Sequence, residues 1–203
     1  MPIKPILFNT EMVRAILDGR KTCTRRICKD ANECTVPDMD FYNADRRTYA
    51  VHNFVDKEHT EQLSTAERTC SICPGDILYV RETWCALPVN EAGHMRGHSI
   101  YYYRADGDLR PEGWRGKWRP STQMPKEAAR IWLKVTDVRV ERLQDMTDDD
   151  AEAEGCFDYT STALGFPDVW DSTIKKSDLD SYGWSANPWV WVIEFERCEK
   201  PEA

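Results

Sequence analysis

Nothing in the chain approaches the apolar length that spanning a bilayer requires. Its start, MPIKPILFNT, also lacks the charged head, apolar middle and small-residue cleavage site of a secretory signal. These absences set aside a membrane partner and lead us to expect a cytoplasmic protein. No internal repeat and no low-complexity linker interrupts the 203 residues, of which 41% are hydrophobic and 31% charged. That composition fits one domain over 1–203, elaborated by insertions at about 29–72 and 86–118. Positive charge is scarce as well, the formal net charge being -8. An acidic surface weakens non-specific duplex binding, which is built from many phosphate contacts.

Thirteen of the 27 Lys and Arg are gathered in two stretches. Residues 1–30 hold seven Lys or Arg against three Asp or Glu, and residues 110–130 hold six against two. Two such islands in an acidic chain suit capture of a small or well-defined anionic ligand by short-range contacts. The first is densest in ILDGRKTCTRR, residues 16–26.

Pattern places that stretch. KPILF reads as a short strand. NTEMVRAILDGRK follows with Met12, Val13, Ile16 and Leu17 on helical spacing, Asn9 or Thr10 as N-cap and Gly19 as terminator. TCTRRIC then leaves as a strand, so Lys21 to Arg26 lie at a helix-to-strand junction, where a tight backbone presents side chains together. Residues 29–72 are polar and without sustained periodicity, and predict an inserted loop region with a little local structure. PGDILYVRETWCAL, HSIYYYRAD, IWLKVTDVRVERL (bent near Thr136-Asp137) and PWVWVIEFER predict strands. TDDDAEAEGC predicts a short helix capped by Thr147 with Asp150 three residues on. Short strands with intervening helices predict an α+β fold of small mixed-barrel type.

The succession strand, helix, GRKTCTRR, then PGDILYVRETW, then VTDVRVERLQDMTDDDAEAEG resembles the ASCH domain family, small barrels related to the PUA fold. The family's helix-ending segment has the form G-x-K-x-x-E-x-R, and Gly19, Lys21 and Arg26 stand in register with it. Thr24 takes the place where many members carry glutamate, as in the small bacterial acetylcytidine amidohydrolases of the family. That resemblance implies a catalytic set of Lys21, Thr24 and Glu154, the last from matching LQDMTDDDAEAEG to the helix after the long strand. RPSTQMPKEAARIWLKVTDVRVERLQDM and YGWSANPWVWVIEFER are similar to the longer ASCH-containing proteins common in bacteriophage genomes. The resemblance covers the ends and centre of the chain, not 29–70 or much of 86–118. It implies RNA, a nucleotide or a modified nucleoside as partner, and no cofactor.

The residue types bear such chemistry independently. A lysine crowded by Arg20, Arg25 and Arg26 has its ammonium form disfavoured by like charge and is available to attack or deprotonate. The threonine hydroxyl positions water or relays a proton, the glutamate serves as acid for an amine leaving group, and Arg26 neutralises an oxyanion or a phosphate. Alternatively, the cluster, with Arg20 and Arg26 as ligand contacts, binds phosphate without turnover. A morphogenesis protein is a third reading, which the polar cluster disfavours.

Other candidates have plainer alternatives beside them. Glu82, the acid of an otherwise apolar strand, suits a base amine or a pairing with Arg81, Arg26 or Lys21, and equally an outward-facing edge. Ser121, Gln123 and Lys126 precede a strand within the second basic island, where a turn would do as well. Trp184 is the indole best placed to stack on a base, Trp189 and Trp191 falling on one side of a strand where core packing is expected. Asn187, before Pro188, is a turn signal whose amide also suits a base edge. The chain's eight cysteines are expected reduced. Cys70 and Cys73 have zinc spacing, and Cys28 and Cys34 are the looser pair that would complete a clip, but a single C-x-x-C is a weak signal and no metal is assigned. Cys23 lacks a base partner, so a small strand residue is favoured over a nucleophile.

Overall fold

The computed structural model describes residues 1–34, 36–41, 48–69, 71–88, 99–113, 116–156 and 165–202. In chain order the elements are β1 (Ile3–Leu7), α1 (Thr10–Leu17), β2 (Cys23–Ile27), α2 (Lys29–Asn32), β3 (Val36–Phe41), β4 (Thr48–Phe54) and β5 (Gln62–Thr69). There follow β6 (Ile77–Arg81), β7 (Trp84–Pro88), β8 (Ser99–Tyr103), β9 (Trp132–Arg142), α3 (Asp148–Ala153), α4 (Phe166–Thr173), α5 (Leu179–Tyr182) and β10 (Trp189–Cys198).

The fold is α+β. Its main sheet has the order β1-β6-β9-β10-β2, parallel between β1 and β6 and antiparallel elsewhere. The bend expected near Thr136-Asp137 is a register shift. Glu194 faces Asp137 while Phe195 faces Val135, so Thr136 is the extra residue of a bulge. One face of the sheet packs Ile193, Phe195, Val80 and Leu133 against Phe8, Val13 and Ile16. Val190 and Val192, pointing the other way, join Met146 and Ala151 around α3 with Phe166 and Trp170 of α4. The alternation along β10 is thus read by two cores at once.

The expected barrel is not closed among the described residues. β1 and β2 end the sheet without pairing to each other. They approach instead across a cleft, in which Arg26 of β2 donates to the Leu7 carbonyl at the end of β1 (3.0 Å).

Residues 29–72 also correct their reading as loop. They contain α2 and a three-stranded antiparallel sheet, β3-β4-β5. Hydrophobic periodicity is a record of burial, and here little is buried: β5 is exposed along nearly its whole length, while Tyr49 and Val51 of β4 pack with Cys73 against Cys34, Met39 and Trp191. A sheet wet on most of its surface leaves no alternating stripe to find. Within the region 86–118, β8 pairs with β7.

Candidate functional site

The junction predicted for Lys21 to Arg26 is built by local backbone geometry. Asn9 caps α1 by accepting from the Met12 N–H at 2.8 Å. At the other end Gly19 has φ +77, and Arg20 and Lys21 both donate their N–H groups to the Ala15 carbonyl. The left-handed glycine turns the chain so that residues 20–22 run against the C-terminal end of α3. There they satisfy its last carbonyls: Thr22 N–H donates to Ala153, Lys21 Nζ to Glu154 and the Arg20 guanidinium to Gly155. Much of the first basic island is therefore a cap placed where a helix end carries negative partial charge.

Lys21 and Glu154 meet within this contact. Nζ lies 2.5 Å from Oε2 and 2.9 Å from the Glu154 carbonyl, and both residues are buried. What permits the approach is Gly155, at φ +90, where a β-carbon would fall 2.7 Å from Ala15 Cβ and 3.3 Å from Lys21 Cβ. Arg25, its side chain wholly buried, holds the same carboxylate from the other side. It stands 3.5 Å from Glu154 Oε1, 2.7 Å from Glu141 and 3.3 Å from Asp150. Burial works against the Arg25 charge, but Glu154, Cys23 and Glu141 more than offset it and its pKa is raised. Asp150 also completes the α3 capping box with Thr147, so one acid both starts the helix and steadies the arginine.

Thr24 is buried and lines, with Glu154, Arg25 and Arg26, a small inner pocket roofed by Phe166, Val169, Trp170 and Thr173 of α4. Its volume, about 20 Å³, is room for about one water. Met12, Arg26 and Thr173 also line an outer cleft of about 390 Å³ that runs along Pro5–Leu7 of β1. Arg26 borders a further cavity of about 180 Å³ as well. Its guanidinium is half-buried, donates to the Arg25 and Leu7 carbonyls and lies over the Phe8 ring. Among the described residues no carboxylate pairs with it. Removal from water lowers its pKa.

Three of the residues singled out by sequence, Lys21, Thr24 and Glu154, are thus brought together, with Arg26 at the rim. Others are placed elsewhere. Arg25 shares the Glu154 carboxylate with Lys21 and Arg26 lies over the same Phe8 ring, so cations do stand near Lys21, but acids accompany them: Arg20 pairs with Asp18, and Arg25 with Glu141 and Asp150. Glu82 is buried beside neither Lys21 nor Arg26; it takes two hydrogen bonds from Arg130, which also holds Asp106, and burial raises its pKa. Ser121 sits in a 3₁₀ turn, and Lys126 lies over the Trp132 ring at 5.9 Å. Trp184 packs edge-on against Phe166, 6.0 Å between centroids, while Trp170 and Trp191 line cavities. Asn187, at φ +46, closes a turn by accepting from the Gln144 N–H. Arg25, Asp150 and Gly155 were not legible as site residues, since each acts through a contact more than 100 residues away in sequence.

Cys28 and Cys34 are free thiols, Cys73 is buried, and Cys70 lies outside the described residues, as does Arg115 of the second island. Among the described residues no group of His, Cys, Asp or Glu is arranged to hold a metal ion, and no helix is long and apolar enough to cross a membrane. No protein-family model, no curated protein and no solved structure matches the chain.

Proposed function

We propose that the chain hydrolyses the exocyclic amide of an acylated nucleobase, of the acetylcytidine type, in the bacterial cytoplasm, as a PUA-like member of the ASCH family. One observation carries this reading: Lys21 and Glu154, 133 residues apart, lie 2.5 Å from each other, and Glu154 lines a pocket together with the hydroxyl-bearing Thr24. Burying two ionisable groups is costly unless they are paired, and such a pair beside a pocket is the usual setting of acid–base chemistry.

In this reading Glu154, which accepts from both Lys21 and Arg25, acts as the base and Lys21 as the acid, the reverse of what the residue types alone suggested for the glutamate. A water in the inner pocket, oriented by Thr24, gives a proton to Glu154 and attacks the amide carbon. Arg26, which lines the same pocket and has only carbonyls as partners, neutralises the developing oxyanion. As the C–N bond breaks, Lys21 donates a proton to the departing amine and Glu154 returns its own to Lys21. The products are the free nucleoside and a carboxylic acid, which gives up its proton to solvent as the carboxylate. An outer cleft of about 390 Å³ falls within the size of small-ligand sites, and it meets the inner pocket at Met12, Arg26 and Thr173.

Incubation with acetylcytidine should release cytidine and acetate. Lys21→Ala and Glu154→Ala should each lower kcat by about two to four orders of magnitude with the circular dichroism spectrum retained. The carbonyl-held Arg26 favours one second reading, a non-catalytic binder that sequesters a nucleotide or RNA. Saturable binding of the nucleoside by the wild-type protein without turnover would decide for it.

A further inference from the structure

Phe8, between the end of β1 and the N-cap of α1, carries no group that reacts, yet two cations of the site rest on it. Lys21 Nζ and the Arg26 guanidinium each lie over its ring, 5.5 Å from the centroid. The ring is buried and is not among the residues lining the inner pocket or the outer cleft. Its place is fixed from both sides. The Phe8 N–H donates to the Arg81 carbonyl at 3.2 Å, the Leu7 carbonyl before it accepts from Arg26, and Asn9 after it caps α1. Phe195 tilts against the ring at 6.2 Å, and Val13 and Ile16 share its core. That core asks only for an apolar side chain of this size, whereas the two charges ask for an aromatic one. Two of the three donors of the Lys21 ammonium go to the Glu154 carboxylate and carbonyl. Among the described residues the third meets no oxygen, and the Phe8 ring is the remaining polarisable neighbour. An aromatic face carries negative charge density and attracts a desolvated cation strongly, without accepting its proton.

We propose that Phe8 is a positioning residue of the reaction, its ring supporting Lys21 and Arg26 while Glu154 is neutral. The assignment rests on the hydrolase reading above. As long as Glu154 is ionised it offsets the Lys21 charge directly. Once it has taken the proton of the attacking water, the buried ammonium has lost that counter-charge, and an aliphatic neighbour would leave it unsupported. A second carboxylate would support it but compete for the proton that Lys21 owes the departing amine. The ring does neither harm, because its charge distribution is the same before and after the proton moves. Since the support matters most in the intermediate, it should act on kcat rather than on KM.

Ring fluorination tests this, because it drains the aromatic face of negative charge with little change of shape. Phe8 is exchanged for mono-, di- and trifluorophenylalanine in the full chain, and initial rates are measured with acetylcytidine. The logarithm of kcat should fall in even steps with the number of fluorines, by about tenfold over the series, with KM little changed and the circular dichroism spectrum retained. A kcat that stays level along the series overturns the proposal and leaves Phe8 a core residue. If the unfluorinated protein does not turn acetylcytidine over, the hydrolase reading is what fails, and urea unfolding then reads the ring. The midpoint should fall along the series in the wild-type background, and fall less in Lys21→Met and in Arg26→Gln, each of which removes one of the two cations. Arg26 is only half-buried, which makes its variant the safer one to fold. Equal falls in the wild type and in the folded variants overturn the support of the cations by the ring.

Discussion

Arg25 shows how much one side chain decides here. A guanidinium with no exposure is held by Glu141, Asp150 and Glu154, and its Nε has no hydrogen-bond partner among the described residues. Removing one member of a buried ionic cluster leaves the rest uncompensated. Arg25→Met is therefore expected to lower the unfolding free energy by about 3–5 kcal/mol, read from urea melts. It should also free the Glu154 carboxylate from one of its two anchors, so kcat should fall while KM changes little; Arg25→Lys, which keeps the charge, should recover part of both. Cys23 beneath the same cluster makes the opposite case. Burial, followed by the Glu154 charge, pushes its thiol up to about 12, against the opposing pull of Lys21 and Arg25. A raised thiol pKa means protonation throughout the neutral range, and only the thiolate is nucleophilic. Iodoacetamide at pH 8 should leave Cys23 unmodified in the native protein and alkylate it after denaturation, as peptide mass spectrometry would reveal. Labelling of native Cys23 would reopen its role as nucleophile.

At the scale of elements, the site is the meeting of one helix end with one turn. α3 has only six residues, too short to stand alone, and depends on its capping box at Thr147 and on residues 20–22 at its far end. Thr147→Ala should cost about 1 kcal/mol of stability. Gly155→Ala should do more damage to function. Positive φ and a 2.7 Å approach to Ala15 Cβ leave the backbone no choice but to move, and it carries Glu154 away from Lys21. Loss of turnover at a modest loss in Tm is the expected result, and wild-type activity in Gly155→Ala would show that the close approach is dispensable. These elements also show what could be read beforehand. The N-cap at Asn9, the terminator Gly19, the strand Cys23–Ile27 and the Thr147 capping box are all written within a few residues of one another, and each appears where local chemistry predicts it. The role of Gly155 has no such local mark, because nothing adjacent to it in sequence announces that α1 lies against it. The β3-β4-β5 sheet escaped for the converse reason, having too little burial to leave a pattern.

Over the whole molecule, charge is arranged more tightly than its total suggests. Arg26 rests on the Leu7 carbonyl, Leu7 lies opposite Arg81 in the β1–β6 register, and Arg81 donates to the Thr122 carbonyl in the turn between Arg119 and Lys126. The two basic islands, about ninety residues apart in sequence, are thus joined by a short chain of contacts around the end of β1. Arg119 lies over the Trp84 ring at 5.2 Å, and among the described residues neither it nor Lys126 pairs with a carboxylate. The rest of the surface belongs to a chain of net charge -8, which repels a polyanion at any distance beyond these few groups. Each phosphate neutralised contributes about 0.7 to the slope of log affinity against log salt for a single strand. A ligand held by two or three cations should therefore show a slope of only about -1 to -2. Arg26→Glu and Lys126→Glu should weaken the same labelled nucleotide or short RNA in fluorescence anisotropy, each making the slope shallower. If the two reversals affect different ligands, or if duplex DNA binds as well with a steep slope, the islands serve separate surfaces and the contacts through Leu7 and Arg81 are only architectural.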